Sequence, residues 1–232
     1  MMKIEHLFFD LDRTLWDFET NSYEELTNLY HVHFLHQLGI SLPDEFIKVY
    51  KKINDKCWEK YRLNLLSKED LRVKRFYDTF LYFGIESETL SKQFGDDYVM
   101  NSPTRTCLID GTIDLLEKLN PHYQMHIITN GFEEVQHIKL RNSNLSKYFK
   151  VVVTSEAAGA KKPSPLVFEY ALDKADAKLE ESIMIGDDLN TDIKGAIDLG
   201  MKAIYFNSHS KKHEYSPWKE VKYLSEILNI LL

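Results

Sequence analysis

The sequence predicts an α/β protein: a parallel sheet core with helices on both faces, interrupted near its start by an all-helical insert. Two observations carry this reading. Short apolar runs recur along the chain and stop at polar residues, with plausible helices in the gaps, the alternation that builds a parallel sheet. Between Asp17 and about Thr106 that alternation ceases, and aromatic and aliphatic residues recur at helical spacing instead.

The first apolar run, residues 3–9, stops at Asp10 and reads as a buried strand delivering acidic groups at its C-terminal end. Runs at residues 124–128, 151–154, 182–185 and 202–206 supply further strands. Residues 133–142, 165–175 and 190–199 supply the intervening helices, with Gly200 placed to end the last of them. In the insert the expected helices span residues 19–37, 44–62, 68–83 and 87–100, flanked by Gly, Pro or a Ser or Asp cap. The expected division is a core from residues 1–16 and 106–232 and an insert over residues 17–105. A length of 232 residues suits such a core plus an insert.

Composition narrows the function. The 29 basic and 36 acidic side chains leave a net charge of −7, which argues against a nucleic-acid polymer as partner, since such binders carry a basic surface. With 44% hydrophobic and 28% charged residues the chain is globular rather than disordered or fibrous. No apolar stretch approaches the roughly 20 residues that span a bilayer, so no membrane partner is expected. The first six residues lead into a short apolar run and then two carboxylates, without the features of a signal peptide, and the expected location is cytoplasmic. Cys57 and Cys107 lie in unrelated contexts and read as ordinary packed thiols.

The chemistry gathers at the strand ends. Asp10 and Asp12 stand two apart directly after the first strand, so they point to one side if the chain stays extended, and a turn there can bring both to the sheet's edge. Alone, such a pair reads as a solvated turn. The polar strand ends repeat, however: Thr129, Asn130 and Gly131 close the second strand, Lys161 and Lys162 follow the third, and Asp187, Asp188 and Asp192 follow the fourth. In parallel sheets, ligands sit outside these carboxyl ends.

These segments resemble the motifs of the haloacid dehalogenase superfamily, all four in order over nearly the whole chain. Phe9, Asp10, Leu11, Asp12, Arg13, Thr14 and Leu15 resemble the nucleophile motif, and Ile128, Thr129, Asn130 and Gly131 the second. Lys162 with Pro163 resembles the third, and the run from Gly186 through Asp187, Asp188, Leu189, Asn190 and Thr191 to Asp192 the fourth. The resemblance implies a Rossmann-like core and makes the insert a helical cap that covers the active site and selects the leaving group. Small substrates are then expected. It also favours Lys162, immediately before proline, over Lys161 as the functional lysine. Arg13 stands where many members carry glycine, and its side chain narrows the entrance.

Attack on a phosphate monoester needs a nucleophile, a proton donor, a metal and cations around the transferring group. Asp10, ionised at neutral pH, supplies the nucleophile and forms an aspartyl-phosphate. Asp12 protonates the leaving alkoxide and then deprotonates the hydrolytic water. Asp10 and Asp187, with the Asp12 backbone carbonyl, offer the all-oxygen environment that Mg²⁺ prefers. Asp192 reads as a residue behind the ligands and Asp188 as a water-mediated ligand, although both also fit a helix N-terminus as carboxylates favoured by its dipole. Lys162, the Thr129 hydroxyl, Thr14 and the backbone about Asn130 and Gly131 neutralise the phosphoryl oxygens.

In the insert, residues 48–75 hold ten basic and four acidic side chains, a patch able to steer anions or simply to face solvent. Trp58, Tyr61, Leu65, Leu71, Arg75 and Phe76, with the first two motifs, resemble the pyrimidine 5′-nucleotidase branch. Trp58 and Tyr61 stand three apart and can share one helix face to stack on a base, or serve the core. The expected substrate is thus a small-molecule phosphate ester, a nucleoside 5′-monophosphate above others, with Arg13, Trp58, Tyr61 and Arg75 in contact with it. A sugar-phosphate phosphatase, a phosphomutase and a phospho-acceptor regulatory domain stand as alternatives, and the expected assembly is a monomer or weak homodimer.

Overall fold

The computed structural model describes residues 3–232; Met1 and Met2, on which part of the signal-peptide reading rests, lie outside the described residues. The opening apolar run forms β1 (His6–Phe9), with all four residues buried. Leu7 and Phe9 pack into one apolar cluster and Phe8 into another. Both faces of the strand are covered, which is why its sequence is continuously apolar instead of alternating.

Four long helices follow: α1 (Phe18–Val32), α2 (Pro43–Arg62), α3 (Lys68–Tyr82) and α4 (Glu88–Asn101). Pro43 opens α2 where no helical N–H bond is lost. Ser67 and Ser87 cap α3 and α4 by accepting from the N–H groups of Asp70 and Leu90 at 3.0 and 3.2 Å. Phe46, Tyr50, Phe76, Phe80, Phe94 and Tyr98 fill the space among these helices. Gly95 lets α4 approach α3 closely, since a Cβ there would stand 2.7 Å from the Arg72 carbonyl oxygen. The first helix is shorter than its periodicity suggests. It ends at Val32, Phe34 turns left-handed at φ 51°, and a 3-10 turn follows over Leu35–Leu38. The left-handed residue costs about 1–2 kcal/mol, while burying Leu35 fully returns roughly 1.5–3 kcal/mol, so the break is sustained.

The chain then returns to the sheet through α5 (Thr112–Leu119), β2 (Gln124–Thr129), α6 (Glu133–Asn142), β3 (Phe149–Thr154), α7 (Ser155–Ala158) and α8 (Pro165–Ala175). It finishes with β4 (Ser182–Gly186), α9 (Lys194–Leu199), β5 (Lys202–Phe206), β6 (Lys219–Val221) and α10 (Glu226–Leu231). The strands form one parallel sheet in the order β3-β2-β1-β4-β5-β6, a Rossmann-like α/β arrangement joined to an all-helical segment. β1 lies where the strand order reverses, and in open α/β sheets the carboxyl ends at such a point are where ligands bind. Phe9 pairs with Ile127 on one side and Ile185 on the other, so Asp10, Thr129 and Asp187 emerge at one edge.

Some elements depart from the expectation. The helix expected over residues 190–199 starts as a π-helical turn, Leu189–Ile193, before α9. α5, β6 and α10 were not anticipated; β6 is a three-residue edge strand whose Lys219 and Glu220 are exposed, so it carries no apolar signal. The chain divides into two compact units, one made of the segment up to Phe18 with Thr106–Leu232, the other Glu19–Arg105, each with its own apolar core. Among the described residues no helix is long and apolar enough to cross a membrane.

Candidate active site

Asp10 leaves β1 with its N–H still bonded to the Ile185 carbonyl at 2.9 Å, so the sheet itself fixes the residue's position. The chain then doubles back: Leu15 and Trp16 donate to the Leu11 carbonyl at 3.0 and 2.9 Å, and Arg13 adopts φ 67° at the tip. That left-handed conformation is one that glycine adopts without strain and an arginine rarely does. Here the arginine places its guanidinium 4.3 Å from the centre of the Phe18 ring.

Lys162 is the hub of the site. It is 2% exposed, and its ammonium reaches Asp10 Oδ1, Asp192 Oδ1 and the Ile128 carbonyl, each at 2.7 Å, which uses all three of its donors. Its backbone is pinned by Asn130, whose Oδ1 accepts from the Lys162 N–H at 2.8 Å and whose Nδ2 donates to the Lys162 carbonyl at 3.0 Å. Thr14 Oγ1 lies 3.3 Å from Asp10 Oδ2 and 3.4 Å from Asp187 Oδ1. Gly131 N–H donates to Thr129 Oγ1 at 3.1 Å. Asp192 is 1% exposed, and its Oδ2 accepts the Asp188 N–H at 3.1 Å. Gly186 makes room for it, since a Cβ there would stand 2.6 Å from Asp192 Cγ.

Asp10, Asp187 and Asp192 each offer an oxygen within 4.8 Å of the others'. Burial pushes the Asp10 carboxyl up to about 7 against the pull of Lys162, with Asp192 and Asp12 adding to the rise. Burial raises Asp187 well above the carboxylate range, and Asp10 and Asp192 drive it further, while Arg13 opposes. Asp192 is raised as well, by burial first, with Lys162 opposing. For Lys162 burial alone would lower the ammonium, but Asp10 and Asp192 overcome it and the net shift is upward. Three carboxylates thus gather where the one lysine neutralises only two of them, Asp10 and Asp192, an all-oxygen and electron-rich centre whose chemistry fits a hard divalent cation.

Asp188 turns away to cap the following turn, Oδ1 accepting from the N–H groups of Asn190 and Thr191 at 2.8 and 3.1 Å. In the helical unit Trp58 and Tyr61 meet edge-on at 5.4 Å between centroids. Arg75 is 3% exposed, bonded to Asn54 Oδ1 at 3.2 Å and lying 5.0 Å from the ring centres of Phe76 and Tyr98. Two residues of α6 went unnoticed in the sequence. Lys139 Nζ contacts Asp12 Oδ1 at 2.5 Å, and Gln136 Nε2 donates to Asp12 Oδ2 at 2.8 Å and to Thr129 Oγ1 at 2.6 Å. Phe132, Gln136 and Leu140 recur every four residues and are all buried, so a polar residue on an apolar stripe was the available signal.

The fold and site together define a hydrolase built on a parallel sheet with its carboxylate centre at the strand ends. Residues 7–206 match the haloacid dehalogenase-like hydrolase family, and the chain belongs to it. Among its relatives, pyrimidine 5′-nucleotidase YjjG of Escherichia coli strain K12 is 28% identical over 99% of both chains. Pyrimidine 5′-nucleotidase PynA of Streptococcus pneumoniae is 30% identical over 99% of this chain and 96% of its own. Among solved structures, the magnesium-bound crystal structure of the chain named HAD-hydrolase YfnB of Bacillus subtilis is similar with a TM-score of 0.89, at 28% identity over 99% of both chains.

Proposed function

We propose that this chain is a magnesium-dependent phosphomonoester hydrolase that works through an aspartyl-phosphate on Asp10, with pyrimidine nucleoside 5′-monophosphates as substrates. The observation that carries the reading is the cluster of Asp10, Asp187 and Asp192, with Asp10 and Asp192 bonded to buried Lys162. Asp10, Asp187 and the backbone carbonyl of Asp12 would hold the ion, with Asp192 bracing Lys162 behind them. When bound, Mg²⁺ supplies positive charge that offsets the carboxylates and the phosphoryl oxygens.

The Asp10 carboxylate attacks phosphorus as the bond to the leaving oxygen breaks, and the Asp12 carboxyl gives that oxygen its proton. Asp12, now a carboxylate, takes a proton from water as the water oxygen attacks the aspartyl-phosphate, and Asp10 departs as a carboxylate. Lys162 and the Thr129 hydroxyl stabilise the phosphoryl oxygens throughout. Dehalogenation needs no leaving-group acid and no carboxylate cluster, so Asp12 and Asp187 argue against it. The base preference draws on the nucleotidase relatives, and a cytoplasmic location goes with it. A sugar-phosphate phosphatase is the second reading, favoured by the burial of Arg75 and by the Trp58 and Tyr61 rings packing on each other.

Inorganic phosphate release, with and without Mg²⁺, from UMP, dUMP, dTMP, AMP, several sugar phosphates and 4-nitrophenyl phosphate tests the proposal. Magnesium-dependent release favouring the pyrimidine nucleotides supports it. Release favouring sugar phosphates discards the nucleotide assignment and keeps the chemistry, whereas no release from any ester discards both.

A further inference from the structure

We infer that Lys139, with Gln136 beside it, is the positioning residue that aims the Asp12 carboxyl at the leaving group; this rests on the phosphatase reading above. The two donors stand three apart on one face of α6, and between them they hold both oxygens of Asp12, Lys139 at 2.5 Å and Gln136 at 2.8 Å. Both are buried, Lys139 at 4% and Gln136 at 0% exposure. An aspartate on a loop turns freely among rotamers, and two fixed donors select one of them. Each carboxyl oxygen keeps a second lone-pair direction, so the group still exchanges a proton with a substrate oxygen.

The setting of Lys139 is costly for a lysine with no task. A long side chain on a helix ordinarily carries its ammonium out to water. This one turns inward, 4.2 Å from the centre of the fully buried Trp16 ring and 5.9 Å from that of Phe18, and ends on Asp12. A buried ammonium is tolerated only when paired. Its charge beside Oδ1 stabilises the carboxylate that Asp12 becomes as its proton moves to the leaving oxygen. The same contact keeps that carboxylate in place to accept a proton from water in the second step. Gln136 extends the brace to the phosphate side, because the amide that donates to Asp12 also donates to Thr129 Oγ1.

A purely structural tie between α6 and the loop after β1 would affect all substrates equally, and a positioned acid does not. An alkyl phosphate needs its leaving oxygen protonated, whereas 4-nitrophenolate leaves without a proton. The test compares kcat/KM for UMP and for 4-nitrophenyl phosphate, with saturating Mg²⁺, in the unaltered chain and in Lys139→Met. The expected result is a loss on UMP about 10²-fold greater than on the aryl ester, within the range of general acid catalysis, with the magnesium titration curve unchanged. Lys139→Arg, which restores a cation, is expected to recover most of that ratio. An equal loss on both esters overturns the positioning role. Should the Met variant not fold, Lys139→Gln is put to the same comparison and decides in the same way. No release from either ester by the unaltered chain overturns the phosphatase reading and the inference with it.

Discussion

Replacing Lys162 with Met tests the electrostatics of the site most directly. The ammonium is 2% exposed and holds Asp10, Asp192 and the Ile128 carbonyl at 2.7 Å each, so its removal leaves two buried carboxylates and one carbonyl without their cation. Removing one partner of a buried ion pair costs about 3–5 kcal/mol. For a chain of this size each kcal/mol lowers Tm by about 2–4 °C, which gives a fall of roughly 6–20 °C. The cost depends on pH, and its sign follows from Asp10. Its folded value is raised from 3.8 to about 7, so the stability it contributes as a neutral acid is complete below 3.8 and is lost as pH rises through about 7. Without Lys162 the values for Asp10 and Asp192 rise further. The variant is therefore penalised most near pH 8, above the Asp10 value of about 7, and much less near pH 5, where Asp10 stays protonated. Thermal unfolding of both proteins in chelator at the two pH values reads this out, and a Tm difference that does not change with pH would refute the reasoning.

Asp10→Asn is expected to abolish phosphate release, by on the order of 10³-fold or more, while Tm in chelator holds or rises because a buried acid is replaced by a neutral group; turnover at the normal rate removes Asp10 as the nucleophile. Asp187→Asn is expected to shift the magnesium titration to higher concentration by roughly tenfold or more, as read by calorimetry without substrate, and an unmoved curve excludes Asp187 as a ligand. Because Asp10 is protonated below about 7 in the ion-free chain, magnesium binding near pH 6 is expected to release a proton that it does not release near pH 9; binding heats that ignore the buffer's ionisation enthalpy at both pH values exclude this linkage. Away from the site, burial and then His6 hold His126 down at about 4 from 6.5, so the chain is expected to lose up to about 3 kcal/mol as pH falls through that interval. His126→Phe removes that part of the acid loss from denaturant midpoints, and an identical pH dependence would show that His126 is not its source.

The sheet and the acidic centre were legible because their signals are local. β1 and β4 are short apolar runs that stop at Asp10 and before Asp187, and a parallel sheet brings such ends to one edge wherever its strands fall in the chain. The partners of Asp12 were not legible, because nothing near Asp12 announces them. Gln136 and Lys139 lie 124 and 127 residues further along; Gln136 stands out only as a polar residue on an apolar stripe, and Lys139 looks like a surface residue of an amphipathic helix until α6 is folded against the loop. Asp188 and Asp192 show the limit of spacing as a guide. Four residues apart on one turn, one faces the lysine and the other caps the backbone, a choice made by the π-helical start that periodicity does not reveal. The break at Phe34 was hidden for a similar reason, since the burial of Leu35 that sustains it depends on residues from other helices.

The placement of β1 bears on how the chain is made. Its two neighbours, β2 and β4, begin at Gln124 and Ser182, so β1, made before the other strands of this sheet, keeps an open edge until β4 has been added. During synthesis at about 5–20 residues per second, Leu7, Phe8 and Phe9 wait for some ten seconds or more before both flanking strands exist. Meanwhile Glu19–Arg105, with its own apolar core, emerges as one continuous stretch. The nascent chain thus carries a complete helical unit tethered to an apolar strand with an open edge, a hydrophobic segment for which a chaperone has use until residue 186 has been added.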